Sequence, residues 1–299
     1  MSAAGIGAAA PPKASVRDWI SNPWAKTRFL WVVGIGYVLW SLIPVAEAVL
    51  FSFNRGRSVS KWEGFSLRWY TWDPNSVLHS AALRDAIFQS VKLAVLTAAI
   101  AVPLAVAFAL ALHRWRGRGS GSSNFLMLFS FVTPELILAV SLFLLVINAL
   151  RFIGLGTQAQ LIGLVVLSLA YPVIVVRARL FSLGNSYEEA AMDLGASPIR
   201  TLFRVTLPLL GPAIFASAAI IFAFALDDFV ITNQLSRDAS TQTVSMAIYG
   251  AARTGPTPAF NAIGTIMLAT STLLIVIAVL FYRRSARRRG DAAALAALG

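Results

Sequence analysis

The chain has no cysteine among its 299 residues, which excludes a disulfide framework, a thiol nucleophile and a cysteine-ligated metal. Charge is scarce: 13% of residues are Asp, Glu, Lys or Arg, where a soluble domain carries about 25%. The only histidines are His79 and His113, no His-Glu-x-x-His metal motif occurs, and no Gly-x-Ser-x-Gly turn supplies a serine nucleophile. An intramembrane hydrolase is therefore left without a catalytic set. No lysine follows a glycine, so the chain lacks a phosphate-binding P-loop and is not itself an ATPase. No catalytic residue, metal ligand or bound cofactor is assigned to it.

What is abundant is apolar: 58% of residues are hydrophobic, which makes this an all-α integral membrane protein. Crossing the hydrocarbon core takes about 20 apolar residues. Six stretches qualify: approximately Phe29 to Phe53, Leu93 to Leu112, Phe125 to Leu150, Gly154 to Val176, Leu207 to Leu226 and Phe260 to Tyr282. The net charge of +12 does not indicate nucleic acid, because the basic residues sit beside the spans, where they set orientation. With both termini inside, 16 of the 25 Lys and Arg residues fall on the cytoplasmic side. The expected organisation is a disordered cytoplasmic tail over residues 1–28, a transmembrane domain over 29–282 and a basic cytoplasmic tail over 283–299. The first tail, rich in Ala, Gly and Pro with no apolar core before a cleavage site, does not read as a signal peptide.

The loop after the first span carries Trp62, Phe65, Trp69, Tyr70 and Trp72. It is expected either to lie along the outer leaflet, with a short interfacial helix, or to contact a substrate-delivering protein. Arg114 to Ser123, basic and then rich in Gly and Ser, reads as a flexible cytoplasmic turn. Prolines 44, 103, 134, 172 and 212 fall in or at the ends of spans, where each removes a backbone donor and permits a kink.

The acids at membrane depth are the polar residues that demand a reason. Glu47 lies in the first span, Glu135 follows Pro134 in the third, and Asp227 and Asp228 end the fifth. Ionisable groups there are costly and face a cavity or a partner, and the negative sign suits passage of a cation. Asp227 and Asp228 cannot share one helix face. If the helix continued, Phe224, Asp228 and Ile231 would form one stripe and Ala223, Asp227 and Val230 the next. One acid is expected to line the path and the other to hold a helix end, or both to be structural, with Arg237 as a possible ion-pair partner; which of the two meets substrate stays open.

Residues 185–208 form the long polar insertion between two apolar segments. Ser186 and Glu189 have the spacing of a capping box, Gly195 suits a left-handed helix end, and Ser197-Pro198 offers a fresh N-cap with proline at the first helical position. The expectation is helix, turn, helix, with Pro208 restarting a membrane helix. Glu189-Ala190-Ala191, Gly195 and then Val205-Thr206-Leu207-Pro208 resemble the EAA loop of membrane-spanning permease subunits of bacterial ABC importers, with Val where that pattern has Ile. Gly64 to Tyr70, Thr133-Pro134-Glu135-Leu136 and Phe224 to Ile231 resemble the spermidine and putrescine branch of those permeases.

The resemblance implies a type I ABC importer permease fold with six transmembrane helices. Ser186, Tyr187, Glu188, Glu189, Ala190, Ala191, Asp193, Gly195, Ala196 and Pro208 would form the ATPase-coupling loop. It further implies two copies of an ATP-binding subunit that hold ATP and Mg²⁺, a second permease, identical or related, and an extracytoplasmic solute-binding protein. The chain would then be a non-catalytic, multi-pass subunit in the bacterial plasma membrane importing a small cation, with a polyamine (spermidine or putrescine) as the expected cargo. The rival readings are import of another small solute and a secondary transporter driven by an ion gradient.

Overall fold

The computed structural model describes the backbone of residues 27–288 apart from Arg116 and Arg118. The expected tails therefore fall largely outside the described residues. The helices are α1 (Thr27–Ser52), α2 (Arg68–Thr71), α3 (Ala81–Arg114), α4 (Ser120–Val132), α5 (Glu135–Asn148), α6 (Thr157–Ser168) and α7 (Ala170–Leu183). There follow α8 (Ser186–Asp193), α9 (Pro198–Thr201), a π-helical segment (Leu202–Thr206), α10 (Leu207–Asp227), α11 (Val230–Gln234), a 3₁₀ turn (Ala239–Thr241), α12 (Val244–Thr254) and α13 (Pro258–Arg288). An isolated antiparallel bridge between Asn54 and Phe65 accompanies them.

Five helical stretches are long and apolar enough to cross a membrane: Leu30–Ser52, Ala81–Arg114, Thr157–Leu183, Pro198–Asp227 and Pro258–Leu280. The third expected span is instead two helices, α4 and α5, interrupted at Thr133-Pro134. Proline has no N–H to donate and disfavours helical backbone in the residue before it, so the apolar run breaks where hydropathy alone reads through. The helices of the second, fifth and sixth expected spans overrun their apolar segments, because helical backbone continues into polar residues. At the start of α3, Ser80 caps the helix by accepting the Leu83 N–H at 3.4 Å.

The chain divides into two units, Met1–Ala48 and Val49–Gly299. In the first, the residues of α1 from 30 to 47 are exposed and apolar on every side, with Glu47 the one charged residue and the Ser41 hydroxyl bonded back to the Val38 carbonyl, which suits a helix solvated by lipid. The second unit is built on α3. Ala94, Thr97, Ala101, Ala105 and Ala109 recur at helical spacing and are wholly buried. Small side chains let neighbouring helices approach closely, and α7 and α10 pack along this side of α3. Gly163 does the same for α6: a Cβ there would stand 2.6 Å from Ile231 Cγ2 of α11 and 2.7 Å from Cδ1 of Leu235, which ends that helix.

A buried amide network ties these helices together. Gln160 of α6 donates from Nε2 to the carbonyls of Thr232 (2.8 Å) and Thr241 (2.9 Å), and its Oε1 accepts from Gln89 Nε2 of α3 at 2.9 Å. Gln89 also donates to Thr157 Oγ1 at 2.9 Å. Replacing Gln160 with Leu strands these partners in the interior. The expected result is a loss of about 2–3 kcal/mol, read as a lower thermal midpoint of the detergent-solubilised protein.

The loop between α1 and α3 is folded around Asn54. Its Nδ2 donates to the carbonyls of Ser58 (2.9 Å) and Lys61 (2.8 Å), and its Oδ1 accepts the Glu63 N–H at 2.8 Å. Trp69, expected at the membrane interface, is instead the core of this loop: it is 1% exposed, and its Nε1 donates to the Asn54 carbonyl at 2.8 Å. Arg68 Nε donates to Asp73 Oδ2 at 2.6 Å. Burial raises Asp73, but the Asn75 N–H and the Arg68 guanidinium outweigh it and hold the carboxyl below the ordinary carboxylate range.

Candidate functional site

Two helix interruptions face each other. The backbone of Asp228 is extended, with ψ at 129°, so α10 ends at Asp227 and α11 restarts at Val230. The continuous stripes through Ile231 and Val230 expected from the sequence therefore do not form. Asp228 is 6% exposed. Its Oδ1 accepts the Thr232 N–H at 2.9 Å, and its carbonyl accepts from Thr232 Oγ1 at 2.8 Å and Ser245 Oγ at 2.6 Å. Its Oδ2 is buried without a protein hydrogen-bond partner, and the neighbouring acid is Glu135, the first residue of α5 after the Pro134 break.

The structure thus brings together two of the acids singled out in the sequence. Among the described residues, neither is joined to Lys or Arg; Arg237 pairs with Asp238 at 3.8 Å. Interrupted helices at membrane depth are tolerated where the freed backbone groups find partners or line a cavity. Thr232 and Ser245 supply partners here, and neither residue type at those positions signals this role in the sequence.

Asp227 points elsewhere. It is exposed, in a groove of about 310 Å³ lined also by Ser245, Ile248, Met267, Leu268 and Ser271. Adjacent residues on either side of a helix end thus occupy different surroundings. Glu47 lies exposed in α1, within the first unit.

The loop from α7 to α10 begins with α8, none of whose residues is buried. Asn185, not Ser186, is the N-cap, and no side chain caps the helix, so the expected capping box does not form. Ser186 is already the first helical residue, one position too late to act. Glu188 is used otherwise: its carboxylate accepts two bonds from Arg114 Nη2, at 2.7 and 2.8 Å, and one from Thr206 Oγ1 at 2.7 Å. That ion pair fastens α8 to the end of α3 and to the π-helical segment. Glu189 is exposed, beside an open cleft of about 840 Å³ lined also by His113, Phe181, Asn185 and Thr201.

Gly195 ends the turn with φ at +83°, a conformation costly for any residue with a Cβ. Ser197 then accepts the Arg200 N–H at 3.4 Å, and Pro198 takes the first position of α9. Pro208 is the second residue of α10, the membrane helix that begins at Leu207. The restart is not a break: helical backbone is continuous from Pro198 to Asp227, and the π-helical turn at Leu202–Thr206 ends two residues before the proline, where it widens the backbone ahead of a residue that clashes with the carbonyl four back.

Tyr187, Ala190, Asp193 and Ala196 lie in or beside α8, and Ala191 is half-buried. The loop exposes apolar residues as well: Leu194 is 90% exposed, Ile199 71% and Phe203 63%. Sequence reasoning passed over these three, although Leu194 abuts the glycine turn and Ile199 and Phe203 are four apart. An exposed apolar group on a polar loop fits a protein surface.

Residues 83–290 match the family described as binding-protein-dependent transport system inner membrane component. The chain is 33% identical over 254 residues to the putrescine transport system permease protein PotI of Escherichia coli, covering 83% of this chain and 87% of the relative. It is 31% identical over 256 residues to the spermidine/putrescine transport system permease protein PotC of Haemophilus influenzae, covering 86% and 95% respectively. In structure it is similar to a chain of a bacterial ABC transporter involved in the import of the acidic polysaccharide alginate, with a TM-score of 0.67 at 18% identity, covering 90% of this chain and 99% of that one. A chain of the inward-facing MetNI methionine ABC transporter aligns with a TM-score of 0.59 at 15% identity, over 68% and 96%.

Proposed function

This chain belongs to the family of binding-protein-dependent transport system inner membrane components and is a permease subunit of an ABC importer, and we propose that its cargo is a small organic cation of the polyamine class. The observation that carries the cargo assignment is the meeting of Glu135 and Asp228 at two helix interruptions with no Lys or Arg joined to them among the described residues. Asp228 is 6% exposed, and an acidic pair with no basic partner attracts an ammonium group. Asp227 and Glu47 are the further acids of the proposed path.

Energy comes from partners. Two ATP-binding subunits, which carry ATP and Mg²⁺, dock on the loop of residues 185–208 of this chain and of a second permease. Their closure on ATP opens the path outward to an extracytoplasmic solute-binding protein, and their release returns it inward. A two-state equilibrium biased by ligands describes this cycle. Both termini, with the tails over 1–28 and 283–299, lie in the cytoplasm on this reading, because the basic residues concentrate there.

The test is uptake of labelled putrescine and spermidine by vesicles holding the assembled transporter, with and without ATP and the binding protein. Uptake that requires both is the expected result. ATP consumption stimulated by the binding protein without polyamine uptake overturns the cargo assignment, and uptake driven by an ion gradient without ATP overturns the coupling.

A further inference from the structure

The loop that follows α1 carries a surface used by none of the foregoing. Trp62 packs edge-on against Phe51, with ring centroids 6.2 Å apart, and Phe65 stacks on Phe53 at 5.3 Å. Phe51 belongs to the last turn of α1 and Phe53 directly follows it, so both outer rings stand at the depth where the first span leaves the hydrocarbon. They are nevertheless open on their far side: Trp62 is 41% exposed and Phe65 65%. Between them and the helix end the chain displays Arg55, Arg57 and Lys61, all exposed, with Glu63 the one acid among them.

The display is preorganised. Asn54 is wholly buried and holds the carbonyls of Ser58 and Lys61 and the N–H of Glu63, while the Arg55 N–H donates to the Gly64 carbonyl at 2.8 Å and the Ser66 N–H to the Phe53 carbonyl at 2.7 Å. These bonds hold the loop backbone and leave all three cationic side chains exposed, Arg57 also lying near enough to Asp73 to favour its carboxylate form.

We infer that this loop is a binding surface for anionic phospholipid, with Arg55, Arg57 and Lys61 meeting the headgroup phosphate and Trp62 and Phe65 seated at the acyl boundary. Charge and depth together select lipid. Cations beside a membrane span attract acidic headgroups, and amphipathic aromatic rings settle at the interface. A soluble protein would have to enter the bilayer edge to cover Trp62 and Phe65. On the orientation proposed above the leaflet is the outer one, but the contact itself does not depend on that orientation.

The experiment uses the full chain in vesicles containing dibrominated phosphatidylglycerol or dibrominated phosphatidylcholine at equal mole fraction, reading tryptophan quenching in the parent and in Trp62→Phe. The difference between the two chains isolates Trp62 from the other tryptophans. Quenching of Trp62 is expected to favour phosphatidylglycerol, with the preference falling about fivefold for each cation removed in Arg55→Gln, Arg57→Gln and Lys61→Gln. Arg55→Lys with Arg57→Lys keeps the charge and is expected to keep the preference, which separates loss of binding from loss of folding. Equal quenching of Trp62 by the two lipids overturns the inference. So does a preference that survives removal of all three cations, or a triple variant that retains it while losing crosslinks to the binding protein, which would assign the surface to that partner.

Discussion

Leu194→Asp combined with Ile199→Asp is expected to abolish ATP-dependent uptake, by tenfold or more, while the chain still inserts and accumulates in the membrane. The two side chains are 90% and 71% exposed, so they contribute little to this chain's own packing. Substitutions at such positions ordinarily alter stability by no more than about 0.5 kcal/mol. Against a docked ATP-binding subunit the same side chains would be buried, each worth about 1.5–3 kcal/mol, and replacing them with carboxylates adds a desolvation penalty. The joint loss is at least about 3 kcal/mol, or roughly a hundredfold in docking affinity. The measurement is copurification of the ATP-binding subunit together with uptake in vesicles. Retained copurification and undiminished uptake would remove this loop from the coupling interface. Glu188 is a different case, since its bonds to Arg114 and Thr206 are internal; there the loss would be of loop position and not of contact area.

Asp228→Asn should reduce uptake of a polyamine by at least tenfold without unfolding the protein. Asparagine retains a side-chain oxygen that can accept the Thr232 N–H, now bonded to Asp228 Oδ1 at 2.9 Å, so the start of α11 keeps its cap. What disappears is the negative charge this acid can present to a cation, at a position only 6% exposed, where charge interactions are far stronger than at a surface. Asp228→Ala separates the two roles. It also strands the buried Thr232 N–H, at about 1–3 kcal/mol, so the thermal midpoint should fall in the alanine variant and hold in the asparagine variant. Because Glu135 adjoins Asp228, Glu135→Gln is expected to lower uptake in a non-additive way with Asp228→Asn, as for residues sharing one partner. Wild-type uptake by Asp228→Asn over a range of polyamine concentrations would sink the assignment of this acid to the path.

Local chemistry made much of this protein legible in one dimension. A run of apolar residues long enough to cross a bilayer has few alternatives in water, so the membrane class and most of the spans follow from hydropathy. Gly195 and Ser197-Pro198 specify a turn and a helix start through backbone constraints that act within a few residues, and the structure places both as read. Where local signals competed, the reading slipped. Ser186 and Glu189 have capping-box spacing, yet the helix begins at Ser186 itself, because the preceding turn places Asn185 as the flanking residue. Pro208 reads as a helix start and stands second in α10, yet a π-helical turn joins that start to the preceding helix without a break. Pro134 splits a span whose hydropathy is unbroken.

Residue type and order were enough to establish a membrane-embedded, all-helical chain with a long polar loop between two spans and acids out of place in lipid. Tertiary packing alone decided that Glu135 adjoins Asp228 while Asp227 faces a separate groove, that Glu188 grips Arg114, and that Trp69 is a core residue and not an interfacial one. The reason is physical: caps, turns and apolar runs are set by neighbours along the chain, whereas a charge or an indole acquires its role from atoms that folding brings to it from distant helices.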